Sequence, residues 1–249
     1  MALQLHTAYL TGDYSLVKEW GSLLHASGVT PLCSVTSEKE NGPLPDFCIV
    51  QNTVPPDVQA AFELTILDSG IKEKNIRTLD AEIGTDIPVM TSSVTVSTLE
   101  QSSWMQNKER LIGISAFPTL TKGTLIELAP SIHTAKRHIT GAEDIAIQLT
   151  KEVAVIQDRV GMVLPRILCS LINEAFFAIM EGAAPPEHID LAMKLGTNYP
   201  SGPIEWANAI GLPYVAAVLD AIHRDIGEER YRIAPLLRQM ALGSKWWNG

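Results

Sequence analysis

Four positions carry side chains or backbone freedom suited to chemistry. Glu127 stands in the apolar run Leu125-Ile126-Glu127-Leu128-Ala129-Pro130, a carboxylate at the end of a strand pattern. Burial can tune such a group into a general base, and a solvated or ion-paired carboxylate is the plain alternative. Ser92, in Thr91-Ser92-Ser93, offers a hydroxyl that either faces a substrate or bonds its own turn. Gly12 falls between a strand-like run and a helical pattern, where a phosphate-binding turn or an ordinary tight turn is made. His133 follows Glu127 on the same segment and is an imidazole able to take a proton near neutral pH, although isolated histidines more often serve the surface or the core.

The bulk of the chain narrows the partners. With 249 residues, 46% of them hydrophobic and 19% charged, it can bury a sizeable core. A formal net charge of -9 gives no basic patch, so neither nucleic acid nor an anionic membrane surface is predicted as a partner. Cys33, Cys48 and Cys169 lie in apolar runs at no metal-like spacing, which favours buried free thiols over a disulfide pair and predicts no metal centre. The N-terminal residues lack a basic segment followed by an apolar core and cleavage site. The longest apolar run, Met162 to Met180, is broken by Arg166, Asn173 and Glu174, which suits a buried helix better than a membrane span. A cytoplasmic protein is expected.

The elements that must position those residues follow from periodicity. LHTAYL reads as a strand, Gly12 as its break, and SLVKEWGSLLHASG as a helix capped by Ser15, with Leu16, Trp20, Leu23 and Leu24 on one face and Gly28 at its end. VTPLCSV returns as a strand, completing a βαβ unit of the kind that opens a doubly wound, mostly parallel sheet. After a polar linker, DFCIVQNTV predicts a third strand, Val58 to Ser69 a helix, and IRTLDAE and PVMTSSV further strands. Leu99 to Lys108 reads as helix, and RLIGISAF and GTLIELAP as buried strands. Beyond Thr140 the pattern is helical: GAEDIAIQLTKEVA is one candidate helix, with VAVIQD as a last strand or linker. A long helix then ends at Gly182, and a proline-started helix ends at Gly196 with Ile189, Met193 and Leu195 inward. Leu212 to Ile226 and Ile233 to Leu242 complete the set. The reading is an α/β domain over residues 1–135 and an all-α domain over 136–249 that buries apolar surface in a homodimer. Trp246 and Trp247 are expected to clamp the helical half.

The second half carries a longer signal. Asp158-Arg159-Val160-Gly161-Met162-Val163-Leu164-Pro165-Arg166, Asn173-Glu174-Ala175, and Ile189 to Gly196 continuing through Tyr199-Pro200-Ser201-Gly202-Pro203-Ile204-Glu205 resemble the C-terminal domain of the 3-hydroxyacyl-CoA dehydrogenase family. That resemblance implies a Rossmann-like NAD-binding domain, a helical dimerisation domain and an acyl-CoA thioester as substrate. It also implies a histidine–glutamate pair that takes the proton from the 3-hydroxyl while hydride passes to NAD.

Carried over residue by residue, the resemblance assigns the glutamate to Glu127, the substrate-facing serine to Ser92 and the first phosphate-turn glycine to Gly12. The second and third glycine positions hold Tyr14 and Val17, and the ribose-binding acid position falls near Val35, with Glu38 and Glu40 in the linker beyond. The histidine position is Ser115, and a polarising asparagine position is Pro165. Serine has no basic group near neutral pH. The expectation is therefore a 3-hydroxyacyl-CoA dehydrogenase-like protein whose catalytic histidine and phosphate-binding glycines are lost. The alternatives are a non-catalytic acyl-CoA-binding or scaffolding homodimer and, more remotely, another enzyme using Glu127 as base.

Overall fold

The structure, a computed structural model, describes residues 4–35, 43–51 and 53–243. The chain forms two compact units, Met1–Met162 and Val163–Gly249.

The first unit is built on an eight-stranded sheet. β1 (Thr7–Gly12), α1 (Tyr14–Ala26) and β2 (Thr30–Val35) make the expected parallel βαβ unit. Leu16, Val17, Trp20 and Leu24 are buried on one face of α1, and Gly28, at φ +79°, ends it in the left-handed region. The helix starts one residue before the expected Ser15 cap, with Asp13 at the N-cap. β3 (Ile49–Val50) is much shorter than the expected strand and lies exposed at the sheet edge.

Two expected elements are reversed. Val58 to Ser69 was expected as a helix, but it contains β4 (Ala60–Leu64), all five residues of which are buried between β1 and β5. A short apolar run buried on both faces looks the same for strand and helix, so periodicity does not separate them. IRTLDAE, expected as a strand, is the second half of α2 (Ser69–Glu82). Its buried residues Lys72, Ile76 and Leu79 keep helical spacing, and the Asp68 carboxylate caps it by accepting from Ile71 N at 2.9 Å.

β5 (Val89–Ser92), a short α3 (Thr98–Ser102), β6 (Leu111–Ile114) and β7 (Leu125–Pro130) follow. The helix expected from Leu99 to Lys108 is confined to α3 and a turn of 3-10 helix at Lys108–Arg110. α4 (Lys136–Gln148) packs on β6, β7 and β8 (Glu152–Val155). The sheet order is β3-β2-β1-β4-β5-β6-β7-β8, parallel throughout except where β7 runs against β6. Because α4 and β8 belong to this sheet, the compact units divide at Met162/Val163 rather than at 135/136.

The second unit contains α5 (Leu164–Met180), α6 (Pro186–Thr197), α7 (Pro203–Ile210), α8 (Leu212–Ile226) and α9 (Pro235–Gly243). Each has proline in its first two positions, where the missing N–H costs nothing. Gly182 stops α5 at φ +71°, as the sequence predicts. Gly196 does not stop α6; the helix runs through it, and Asn198 takes the left-handed position at φ +58°. The expected inward face of α6 is also shifted: Leu195 is 78% exposed, and the buried residue is Asp190. Among the described residues no helix is long and apolar enough to cross a membrane. Trp246, Trp247, Glu38 and Glu40 lie outside the described residues.

Candidate active site at the strand ends

The C-terminal ends of β1, β4, β5 and β6 share one edge of the sheet because these strands are parallel. That edge carries Gly12, Ser92 and, just past β6, Ser115. The antiparallel β7 returns Glu127 to the same edge: Ser115 N donates to Glu127 O at 3.2 Å and Glu127 N donates to Ser115 Oγ at 3.0 Å. Ser92 Oγ donates to Ala116 O at 2.8 Å. Ser92, Ser115 and Glu127 are thus brought together on adjacent strands, all three buried. Gly12 is not in that group, since β4 stands between β1 and β5.

A polar network holds the edge from behind. Gln101 Nε2 donates to Ser92 O, Ser93 Oγ and Val96 O at 3.2, 3.1 and 2.7 Å. Its Oε1 accepts from Thr91 Oγ1 at 2.6 Å, and Thr91 in turn meets Lys72, which is ion-paired with Glu63 where both side chains are fully buried. A buried pair of this kind is tolerated when every remaining donor and acceptor is occupied. Asp158 accepts from Thr98 N at 2.8 Å and Leu99 N at 2.7 Å, capping α3. Gly113 is required in β6, because a Cβ there would lie 2.2 Å from Thr98 Oγ1.

The turn after β1 is equally closed in. Gly12 adopts φ +139°, and a Cβ on it would meet the Leu64 carbonyl carbon at 2.5 Å. Tyr14 is half-buried with its hydroxyl donating to Pro43 O at 3.0 Å, and Val17 is fully buried under α1. Asp13 Oδ2 accepts from Ile66 N at 2.9 Å and Leu67 N at 3.3 Å. Burial pushes the Asp13 carboxyl above the ordinary carboxylate range, and those two backbone bonds oppose the push.

His133 does not join the group. It is exposed beyond the far end of β7, at the opposite edge of the sheet from Glu127, with its N–H donating to Ser131 Oγ. It is not placed to substitute as a base beside Glu127. Pro165 occupies the first turn of α5 in the second unit, buried. Cys33, Cys48 and Cys169 are free and buried, and among the described residues no group of His, Cys, Asp or Glu is placed to hold a metal ion.

In the helical unit the long sequence signal resolves into fastenings. Asp190 accepts from Ile204 N at 2.8 Å and Glu205 N at 3.1 Å, capping α7 from α6. Gly202 leaves room for it, since a Cβ there would sit 2.1 Å from Asp190 Oδ1. Glu205 reaches back to Gly202 N at 3.0 Å and pairs with Lys194. Asn173 donates to Arg232 O at 3.0 Å and accepts from Ala234 N at 2.8 Å, fixing the approach to α9. The sequence reading gave no role to Asp13 or Asp190. An acid immediately after a turn glycine, and one inside the family-like run Ile189 to Gly196, were the available signals.

The family described as 3-hydroxyacyl-CoA dehydrogenase, C-terminal domain, matches residues 161–246. A 3-hydroxybutyryl-CoA dehydrogenase of Bradyrhizobium diazoefficiens is 30% identical over 181 residues, 73% of this chain and 62% of that protein. One from Clostridioides difficile is 29% identical over 184 residues, 74% of this chain and 66% of its own length. The chain thus spans slightly under two thirds of these relatives. The crystal structure of (S)-3-hydroxybutyryl-CoA dehydrogenase from Ralstonia eutropha superposes with a TM-score of 0.79, 24% identity and coverage of 97% of this chain and 95% of the other. This likeness shows the fold. Residues 161–246 thus match the C-terminal domain of the 3-hydroxyacyl-CoA dehydrogenase family, and the chain resembles 3-hydroxybutyryl-CoA dehydrogenases over about three quarters of its length.

Proposed function

We propose that this chain is a 3-hydroxyacyl-CoA dehydrogenase relative that does not transfer hydride. The observation that carries the reading is Ser115, at the position the resemblance gives to the proton-accepting histidine. Its Oγ is bonded by Glu127 N, and a hydroxyl so placed offers no base near neutral pH. The NAD implied by the family does not fit the β1–α1 turn. A dinucleotide's pyrophosphate needs glycine where the backbone must approach it and where helix and strand pack closely. Here Tyr14 and the fully buried Val17 stand at those places, and the Asp13 carboxyl lies on the same turn. No step is assigned through that cofactor. Titration of the protein with NADH in a calorimeter is expected to give no saturable heat, and saturable binding would overturn the reading.

A second reading, a homodimer that still holds an acyl-CoA thioester, is favoured by the apolar side chains left exposed on the helical unit. Ile167 is 54% exposed, Leu191 49% and Leu195 78%. Exposed apolar surface of that kind marks association surfaces. Light scattering at micromolar concentration is expected to give the mass of a dimer, and acetoacetyl-CoA to raise the melting temperature without NADH. A monomer whose melting is indifferent to the thioester would remove this reading. The free, buried cysteines support a cytoplasmic location.

A further inference from the structure

In a doubly wound sheet the ligand crevice opens where the strand order reverses, and here that is between β1 and β4. The lips of the crevice are the Gly12-Asp13 turn and the segment after Leu64. In this chain they are joined. Asp13 N donates to Leu64 O at 3.5 Å, and Asp13 Oδ2 accepts from Ile66 N and Leu67 N at 2.9 and 3.3 Å. Thr65 N donates to Glu63 Oε1 at 3.1 Å, so each amide from Thr65 to Leu67 is satisfied within the chain. Thr95 Oγ1 holds Ile66 O from the other side at 3.4 Å. Gly12 lies against Leu64 with no room for a Cβ, and Asp13 is 8% exposed.

We infer that the Asp13 carboxyl is a built-in clamp: it bonds the Ile66 and Leu67 amides across the switch point and fastens the two lips of the crevice together without a ligand. Backbone N–H groups converging on one oxygen are what an anion site offers, and here a side chain of the same chain fills it. The inference rests on the reading that the first unit takes no dinucleotide.

Melting of the full chain tests it. D13A is expected to melt lower by roughly 5 °C, as loss of hydrogen bonds to a charged group implies. D13N, which keeps a carbonyl oxygen for the same amides, is expected to melt close to the unaltered protein. Sodium formate is expected to recover part of the D13A loss, while sodium chloride at equal ionic strength does not, and neither shifts the unaltered protein. D13A melting with the unaltered protein, or responding equally to both salts, would overturn the inference. If D13A does not fold, amide exchange in the unaltered protein decides: Ile66 and Leu67 are expected to be protected like the strand amides of β4, and fast exchange at both would overturn the clamp. NADH binding by the unaltered protein is a separate outcome, one that removes the functional reading and leaves the role of Asp13 to the melting and exchange data.

Discussion

The helical unit and the strand-end edge of the first unit keep the resemblance in different ways. In the helical unit Asn173, Asp190, Gly202 and Glu205 stand as the family pattern has them, and each holds a neighbouring element in place. At the strand ends Gly12 and Gly113 hold close backbone approaches, whereas Ser115, Tyr14 and Val17 are, on the proposed reading, the positions where chemistry was given up. A residue that fastens the backbone is costly to change, because a buried amide left without its acceptor loses a bond to water as well. A residue used only for chemistry can change while the fold stands. The two regions should therefore respond to substitution on different scales.

D190A should show the largest effect. It strips two amides at the start of α7 of their shared acceptor, and about 3 kcal/mol of stability is expected to be lost in denaturant unfolding. N173A breaks both bonds that seat the approach to α9 and is expected to cost about 2 kcal/mol. S115A removes one acceptor from a strand already paired through its backbone, so about 1 kcal/mol is expected. An S115A loss as large as that of D190A would erase the contrast between the regions.

A pH effect sharpens the same contrast. Burial raises the Asp190 carboxyl above its ordinary value, against the opposing bonds from Ile204 and Glu205. The folded state therefore holds the proton to higher pH than the unfolded chain does. This contribution is fullest below the unfolded carboxylate value and is lost as pH rises through the higher folded value. Melting curves of D190N should lack that part of the pH dependence over the acidic range. An unchanged profile would assign the dependence to another group. The smallest effect is expected from S115H: restoring an imidazole alone leaves Tyr14 and Val17 in the turn, so NADH-dependent turnover should stay at background.

The sequence made the plan of the molecule legible where periodicity and punctuation agree, as in β1–α1–β2 with its closing Gly28 and in the proline-opened helices. It misread β4 and α2 because a fully buried strand lacks alternation, and because the buried face of α2 includes Lys72, whose partner Glu63 lies on another element. The compact units divide later than 135/136 because β8 pairs with β7 across α4, which only the sheet reveals. At the strand ends Ser92, Ser115 and Glu127 were singled out through the family resemblance, and the structure places them on adjacent strands. Asp13 was not, since its partners are backbone amides of a segment far along the chain. His133 looked close to Glu127 in sequence and stands at the other edge because β7 is extended between them.

The measurement that bears most directly on the absence of hydride transfer is NADH oxidation with acetoacetyl-CoA, followed by absorbance at high concentration of the purified chain. A rate indistinguishable from buffer is expected at every concentration of both substrates. Saturable turnover that scales with protein would contradict it, and would mean that another group takes the proton beside Glu127 and that the turn around Asp13 opens to admit the dinucleotide.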